Sequence, residues 1–386
     1  RYPCWTNFTN TLANKFFVRW THNQDPRARP NSRFSASVNF GSSGNFQQNL
    51  NSSQQEYLSN TFQSSVQWNL KVPRSPFSAT VSARHSQNST TGNVQLTVPS
   101  LSVNMQRTTL AKLVGLDAGR VSLLDNVAVT YSSQMENSVE APDSVFGALN
   151  FAALNIRNGL KHKIKASSSS SLGFISIAPS FSYNQYDSFQ ALDYREVVLG
   201  QDSVGLVSDT LTGFSSANDW RFGLSASTRF YGTFNARRSG RLHAVRHVLS
   251  PTVGLSYNPE RVRGRTINTS QGEEFGWNPY ALGRFVPSDA SEAGSLNFGL
   301  AQNLEAKVAD RETGELRKVK LVDNLSTTGS FNFVADSMQL SDIQTRAFTS
   351  LFNRVNLNLN ATHSPYARDS VTGQAIDTYL VSQGFG

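Results

Sequence analysis

The sequence feature that most constrains the fold is a strict alternation of apolar and small polar side chains. In residues 34–40 every second side chain is apolar, and serine or asparagine fills the positions between them. Because successive side chains of a β-strand point to opposite faces, this segment forms a ribbon with one apolar and one polar face. The apolar face comprises Phe34, Ala36, Val38 and Phe40, and the uncharged polar face comprises Ser35, Ser37 and Asn39.

The same alternation recurs along the chain and predicts about fourteen strands, each bounded by Gly, Pro, Asn, Asp or Ser clusters. The predicted strands cover 12–23, 32–43, 61–72, 77–86, 93–106, 126–135, both arms of a hairpin within 160–187, 219–234, 244–258, 294–308, 318–335, 350–363 and a partial strand beginning near 377. Within 93–106 the apolar positions shift by one residue at Pro99-Ser100. This shift predicts a β-bulge or a bend at that point.

Composition indicates which kind of all-β protein this is. Only 16% of the residues are charged, the hydrophobic fraction is 38%, and the mean hydropathy is -0.36. No run of side chains approaches the roughly 18–20 apolar residues of a membrane-spanning helix. Strands with one apolar and one polar face are typical of a transmembrane β-barrel, which needs no long apolar run. We therefore expect an antiparallel transmembrane β-barrel.

The predicted connections differ in length in a roughly alternating order. The short connections are 24–31, 73–75, 235–242 and 309–317, and the long ones are 44–60, 140–158, 188–216, 259–291 and 336–349. Outer-membrane barrels have short periplasmic turns and longer extracellular loops. We therefore expect a single barrel domain over 1–386, although the link at 107–124 does not follow the alternation.

The charge and the chain ends add weaker constraints. The net charge is +8, but the lysines and arginines are scattered and do not form one stripe, so a lumen or loop surface facing an anionic ligand fits at least as well as nucleic-acid binding. The single cysteine, Cys4, cannot form an internal disulfide. The chain begins without a signal peptide and ends in mid-pattern at Gly386, so we expect a mature chain or a fragment.

Candidate catalytic and metal-binding patterns are weak. Of the six histidines, His243 and His247 are neighbours in sequence, but along a strand they lie about 13 Å apart, too far to share a metal. The loop at 202–216 contains aspartate and serine but no Gly-x-Ser-x-Gly elbow. Glu273, Glu274, Asp289 and Glu292 could bind a divalent cation, although a solvated acidic loop is the favoured interpretation. We predict no enzyme activity, no metal and no cofactor.

Two arginine-rich segments allow two interpretations. Residues 237–241 and 261–265 each contain three arginines. Guanidinium groups pair well with phosphate oxygens, but basic residues also anchor turns among lipid head groups. Both interpretations are open for 261–265, and head-group anchoring is favoured for 237–241. The tryptophans interpreted as lipid-facing or as part of an interfacial girdle are Trp20, Trp68, Trp220 and Trp277.

The polar positions of the predicted strands are the candidate functional surface. They carry mainly hydroxyl and amide groups, whereas simple ion pores use rings of charge. Such a lining suits water and sugars, and the alternative is that it only solvates a wet interior. The candidate lumen-facing residues are Ser35, Ser37, Asn39, Gln63, Gln67, Asn69, Arg84, Arg221, Arg229, Asn356, Asn358 and Asn360.

Four parts of the sequence resemble the barrel of the LptD family of lipopolysaccharide-assembly proteins, most closely the branch found in Bacteroidota. The first is His22-Asn23-Gln24-Asp25-Pro26-x-Ala28-x-Pro30 followed by 34–40, and the others are 96–104, 246–259, and 304–307 with 320–325. The motif residues that carry the resemblance are His22, Gln24, Asp25, Pro26, Pro30, Arg246, His247 and Pro251. We expect His22, Gln24 and Asp25 to tie the first turn to the lumen wall or to a plug.

The resemblance implies an outer-membrane barrel of about 26 strands that inserts lipopolysaccharide into the outer leaflet. The chain would be a middle portion, without the periplasmic jelly-roll domain and without the terminal strands that form the lateral gate. The implied partners are lipopolysaccharide, a plug lipoprotein of the LptE type and periplasmic bridge proteins. No catalytic residue is implied, and the single cysteine departs from members that use several disulfides.

Three alternatives to lipopolysaccharide transport are open. The first is a passive porin, complete at about fourteen strands, with a charged constriction loop folded into its lumen. The second is an outer-membrane enzyme, which would need a catalytic triad, and the third is an adhesin-like surface structure. An upstream signal sequence and jelly-roll domain in the complete reading frame would favour transport.

Overall fold

The fold is nearly all β. The computed structural model describes residues 17–41, 61–88, 90–116, 125–142, 145, 154–198, 204–236, 241–310, 314–351 and 355–383. Its strands are β1 (Phe17–Asn23), β2 (Ser32–Gly41), β3 (Thr61–Lys71), β4 (Phe77–Asn88), β5 (Asn93–Thr109), β6 (Val127–Pro142), β7 (Asn155–Ser168), β8 (Ser170–Leu172), β9 (Ile175–Val198), β10 (Val204–Ser227), β11 (Phe230–Asn235), β12 (Leu242–Asn258), β13 (Arg265–Asn268), β14 (Glu274–Trp277), β15 (Ala293–Ala309), β16 (Leu316–Asn332), β17 (Ile343–Leu351), β18 (Val355–His363), β19 (Tyr366–Arg368) and β20 (Ala375–Tyr379). The helical elements among the described residues include one turn of α-helix, α1 (Leu110–Leu113), and a 3₁₀ turn at Leu380–Gln383.

Sixteen strands form one antiparallel sheet. Fourteen of them lie side by side in the order β1-β2-β3-β4-β5-β6-β7-β9-β10-β12-β15-β16-β17-β18. β8 pairs with β9 in continuation of β7, and β11 pairs with β12 in continuation of β10. The sheet is an up-and-down meander with β1 and β18 at its edges, and it is not closed within the described residues. The predicted all-β antiparallel fold is confirmed.

The alternation in sequence sets the register of the sheet. Phe34 lies opposite Trp68 in the β2–β3 pair, and Ser35 lies opposite Gln67. Residues directly opposite each other share a face, so the apolar positions form one surface and the polar positions form the other. Trp20, Trp68 and Leu359 lie on the apolar face and are 48%, 45% and 62% exposed. A soluble protein would bury such side chains, whereas a lipid-facing surface leaves them uncovered.

The predicted shift at Pro99-Ser100 is confirmed as a β-bulge. Thr97 lies opposite Arg84 and Ser100 lies opposite Ser82, so Val98 and Pro99 together face a single residue of β4. The Val98–Pro99 peptide bond is cis. Because the bulge adds one residue, Thr97 and Ser100 both stay on the polar face despite the change of phase.

A proline also explains the break between β10 and β11. The β10–β12 ladder ends at Ser227–Thr252, and the β11–β12 ladder begins at Phe230–Leu249. Pro251 lies opposite this gap and has no backbone N–H to donate to the neighbouring strand. Its carbonyl oxygen instead accepts a hydrogen bond of 3.2 Å from the backbone N–H of Thr228.

The connections leave the sheet at two rims. The turn rim is formed by the strand ends that the segments 24–31, 72–76, 110–126, 169–174, 236–241, 310–315 and 352–354 join in sequence. The loop rim is formed by the opposite strand ends, which the segments 42–60, 89–92, 143–154, 199–203, 259–292 and 333–342 join. The prediction of a long loop at 188–216 is wrong. β9 and β10 pair continuously from Val198–Val204 to Ser176–Ser227, with one shift between Thr212 and Ser215, so this segment is a hairpin that lengthens two strands at the loop rim.

Two predictions near the C-terminal end are also wrong. The segment predicted as the loop 336–349 contains β17, and the strand predicted over 350–363 begins at Val355. The partial strand predicted near 377 is β20, which pairs with β19 in a separate two-stranded sheet. The predicted number of fourteen equals the number of strands that lie side by side in the main sheet, because the missed strand β17 offsets β20, which lies outside that sheet.

Several sequence predictions concern residues outside the described part of the chain. They are Cys4, the first part of the strand at 12–23, and the segments 44–60, 117–124, 202–203 and 237–240. Among the described residues, no helix is long and apolar enough to span a membrane.

Candidate functional site

The candidate site is the polar face of the sheet, defined as the face that carries Ser35, Gln67, Arg84, Arg221 and Asn358. The ladders place eleven of the twelve predicted lumen-facing residues on this one face. The twelfth, Arg229, lies in the break between β10 and β11 and lines a cavity of about 380 Å³ together with Arg246. That this face borders a lumen is still a prediction.

The motif residues of β1 and the first turn have local roles. His22 lies on the apolar face, with its ring centroid 6.0 Å from Trp20 and 5.8 Å from Phe34. Gln24 accepts a hydrogen bond of 2.8 Å from the backbone N–H of Phe34, and Asp25 accepts one of 2.8 Å from that of Arg27. The expectation that these three residues tie the turn to the lumen wall is therefore wrong for His22, and the described contacts of the other two stay within the hairpin. The alternation could have shown this, because His22 continues the apolar phase of Val18 and Trp20 in β1.

The motif residues of β12 divide between the two faces. Arg246 lies on the polar face, with its guanidinium carbon 5.0 Å from the ring centroid of Tyr231. His247 lies on the apolar face, where its Nε2 is 3.1 Å from Oε1 of Gln302. Within the described residues, no group of three or more His, Cys, Asp or Glu side chains is arranged to hold a metal ion.

A buried carboxylate lies near the centre of the polar face and accepts hydrogen bonds from several surrounding side chains. Glu136 in β6 is only 2% exposed. Its Oε1 accepts hydrogen bonds from Arg84 Nη2 at 2.6 Å and Gln134 Nε2 at 2.8 Å, and its Oε2 accepts one from Arg284 Nε at 2.7 Å. The Oγ atom of Ser100, a residue that the bulge positions, lies 3.5 Å from Oε1 of Glu136. A buried carboxylate requires such partners, because an unpaired charge there would cost several kcal/mol.

The Glu136 cluster, defined as Arg84, Glu136 and Arg284, joins distant parts of the chain. Arg84 is the predicted lumen residue, and it lines a cavity of about 520 Å³ that Arg284 also contacts. Sequence reasoning missed Glu136 and Arg284, which are separated by 148 positions. The available signal was Glu136 itself, because it and Glu140 are the two charged residues in the polar series of β6.

Residues 259–292, here called the covering loop, lie against the polar face. The loop starts at β12 and ends at β15, yet Arg284 reaches β6, four strand spacings away from β12, or about 19 Å across the sheet. The backbone N–H of Arg284 donates a hydrogen bond of 2.9 Å to the carbonyl oxygen of Asn158 in β7. Tyr280 donates through its hydroxyl to the carbonyl oxygen of Ser216 in β10 at 3.0 Å.

An aromatic cluster holds the covering loop against the upper part of β9. Tyr194 packs edge-on against Phe275 and Trp277, with ring centroids 4.8 and 5.5 Å apart. Trp277 Nε1 donates to the carbonyl oxygen of Leu192 at 3.0 Å, and the backbone N–H of Leu192 donates to the carbonyl oxygen of Pro279 at 2.8 Å. The interpretation of Trp277 as lipid-facing is therefore wrong, because it lies on the polar side of the sheet.

The arginines of the predicted segment 261–265 also contact the sheet. The contacts are Arg261 Nη1 with Asp219 at 3.9 Å, Arg265 Nη1 with Asp193 at 3.9 Å, and Arg263 with the carbonyl oxygens of Asn218 and Ser288. The acidic residues of the loop have separate partners: Asp289 accepts from the backbone of Arg263 and Gly264, and Glu292 accepts from the hydroxyl of Tyr257. These carboxylates do not converge on one point.

The comparison with known families identifies the family of this chain. The family model described as LptD protein matches residues 6–366. The chain belongs to the LptD family. LptD proteins act in lipopolysaccharide transport and assembly at the outer membrane, which makes lipopolysaccharide the substrate and the outer membrane the site of action. No curated protein matches the chain.

Proposed function

We propose that the chain forms the wall of an outer-membrane translocon, along which the polar head of lipopolysaccharide moves to the outer leaflet. The observation that supports this proposal is the division of the fourteen-strand sheet into one polar and one apolar face. An amphiphile with a sugar-phosphate head and acyl chains needs both a polar surface and access to lipid. Hydroxyl and amide side chains on the polar face can exchange hydrogen bonds with sugars in place of water.

The membrane imposes two further features on the proposal. Backbone groups in a bilayer need hydrogen-bond partners, so the edges of β1 and β18, which have no partner strand within the described residues, pair with further strands in a larger closed barrel. A tilted strand crosses the bilayer with about 9–11 residues. β9 and β10, with 24 residues each, therefore extend well beyond the membrane. We assign the loop rim to the extracellular side, because the longest connections leave from it.

The proposal includes three partners besides the membrane. Lipopolysaccharide enters from periplasmic bridge proteins at the turn rim, and a plug lipoprotein of the LptE type occupies the barrel interior beside the polar face. The mechanism contains no covalent step in this chain, so the energy for transport comes from the proteins that deliver the substrate.

The covering loop does not by itself favour a porin. A porin would also place a charged loop inside its barrel. However, the carboxylate that anchors Arg284 is buried and fully paired, which fits a structural contact with the wall better than a ring of charge around a pore. The family match over 6–366 supports transport of lipopolysaccharide.

Controlled depletion of the protein tests the proposal. Surface lipopolysaccharide is measured with an impermeant antibody, and uptake of a small sugar is measured in the same cells. The proposal predicts that newly made lipopolysaccharide disappears from the surface while sugar uptake is unchanged. Unchanged surface lipopolysaccharide with reduced sugar uptake would contradict it and support the porin. Re-expression of the wild-type chain is the control.

A further inference from the structure

A basic cavity lies on the polar face between β7, β9, β10 and β12. Its volume is about 620 Å³, and the covering loop closes one side of it through Arg261. Its charged lining residues are Lys163, Lys165, Arg221, Arg261 and Asp219. Four cations and one carboxylate give a net charge of +3. This surplus stands out on a face whose predicted residues are mostly uncharged.

The ladder register explains why these cations converge. Lys165 lies opposite Ser182, which lies opposite Arg221, so the two cations share one row with a hydroxyl between them. Lys163 begins the next row, which continues through Asn184 to Asp219. Opposite residues on neighbouring strands lie about 5 Å apart, so the long side chains of Lys165 and Arg221 can reach a common point.

The carboxylate in the cavity is already engaged. Asp219 accepts a hydrogen bond of 2.6 Å from Asn184 Nδ2, and it lies 3.9 Å from Arg261 Nη1. Neither Lys163 nor Lys165 pairs with a carboxylate in the part of the chain that the structure describes. Two ammonium groups are therefore available to an added anion.

Arg221 is oriented but retains donor capacity. Its Nε donates to Oδ1 of Asn258 at 2.7 Å, which fixes the plane of the guanidinium group. Both Nη groups then stay available for bidentate pairing with two oxygens of one anion. The neighbouring Gly223 makes room for the hydroxyl of Ser180, since a Cβ atom at Gly223 would lie only 2.8 Å from Oγ of Ser180.

We infer that this cavity binds the phosphate ester group of a phosphorylated sugar. A phosphate monoester carries a charge of about −1.5 to −2 at pH 7, which complements a site of +3 better than a singly charged carboxylate does. Serine and asparagine side chains in the lining of the cavity can form hydrogen bonds with the attached sugar. The inference deepens the proposed function and rests on it, because it assigns to the wall a contact for the phosphorylated part of the substrate.

Calorimetry on the folded full chain in detergent tests this site. The probes are glucose 1-phosphate and glucose, at low ionic strength. Each lysine removed costs one charge-assisted hydrogen bond, which weakens binding about tenfold, so the double variant Lys163→Gln/Lys165→Gln binds glucose 1-phosphate about 100-fold more weakly. The matched control Lys307→Gln/Lys318→Gln removes two lysines from the same face and changes binding less than twofold. Heat-modifiable gel mobility shows whether each variant is folded.

A second titration separates the two sources of phosphate. Intact and dephosphorylated lipopolysaccharide are compared on both double variants. If intact lipopolysaccharide loses affinity with the cavity variant and on dephosphorylation, the site holds a lipid phosphate; if only glucose 1-phosphate loses affinity, it holds a free sugar phosphate. The inference is overturned if glucose 1-phosphate does not bind, or binds the folded cavity variant as tightly as the wild type. These results do not depend on cell-surface lipopolysaccharide, so they can fail independently of the proposed function.

Discussion

The Glu136 cluster predicts that one side chain controls how firmly the covering loop rests on the wall. Replacing Arg284 by alanine removes a charge-assisted hydrogen bond of 2.7 Å from a carboxylate that is 2% exposed. The full loss of a buried partner costs about 3–5 kcal/mol. Arg84 and Gln134 still neutralise and solvate the carboxylate, and Arg284 is 34% exposed, so only one charged hydrogen bond is lost, worth about 2 kcal/mol.

A loss of about 2 kcal/mol increases the population of the open loop about 30-fold. Hydrogen–deuterium exchange measures this directly, because the N–H of Arg284 donates to the carbonyl oxygen of Asn158 in β7 only while the loop lies on the sheet. We expect peptides covering 278–287 to exchange about 30-fold faster in Arg284→Ala, with no change in β15. Arg346→Ala, an exposed arginine on the same face, is the matched control.

Two outcomes would refute this reasoning. Exchange in the covering loop within twofold of the wild type would show that the aromatic contacts of Trp277 suffice without the cluster. Faster exchange throughout the sheet would show that the cluster stabilises the whole wall instead of the loop. The double variant Glu136→Gln/Arg284→Ala should exchange no faster than the faster of the two single variants, because both substitutions remove the same contact.

Further predictions concern packing and pH. Gly294→Ala places a Cβ atom 2.2 Å from the ring of Phe333, so we expect a loss of about 1–3 kcal/mol in denaturant unfolding, whereas Gly213→Ala, with open space around it, is nearly neutral. In the β19–β20 turn, hydrogen bonds from Thr372 lower the pKa of Asp369, so the carboxylate stabilises the turn above its unfolded pKa, near 3.8. We expect the protection factors of the amides in this turn, that is, their exchange rates corrected for the intrinsic pH dependence, to fall as the pH falls below about 4 in the wild type but not in Asp369→Asn.

The strand pattern was largely predictable because alternation survives wherever one face meets lipid and the other meets water. It failed where both faces are polar. One face of β17 carries Gln344 and Arg346. Neither this face nor the opposite face of β17 forms a clear apolar series, so the period-two signal is weak. In the upper part of β9, a residue such as Asp193 suggests a turn, yet pairing with β10 and packing by the covering loop favour a strand.

The candidate site was predictable in part for the same reason. Polar positions such as Arg84 and Arg221 follow from the phase of their strands. The partners of Glu136 do not, because no local pattern links a strand to a loop 148 residues away. The position of Trp277 also depends on where the covering loop folds, which the sequence of that loop does not show.

Photo-crosslinking tests the central claim, that lipopolysaccharide travels along the polar face, most directly. A photoreactive residue replaces Ser182 on the polar face, or its neighbour Phe181 on the apolar face, in cells pulse-labelled for new lipopolysaccharide. The account predicts that adducts form first at position 182 and decline during the chase, while adducts at 181 appear only later, from the outer leaflet. Adducts that form first at 181, or that never form at 182 in folded protein, would contradict it.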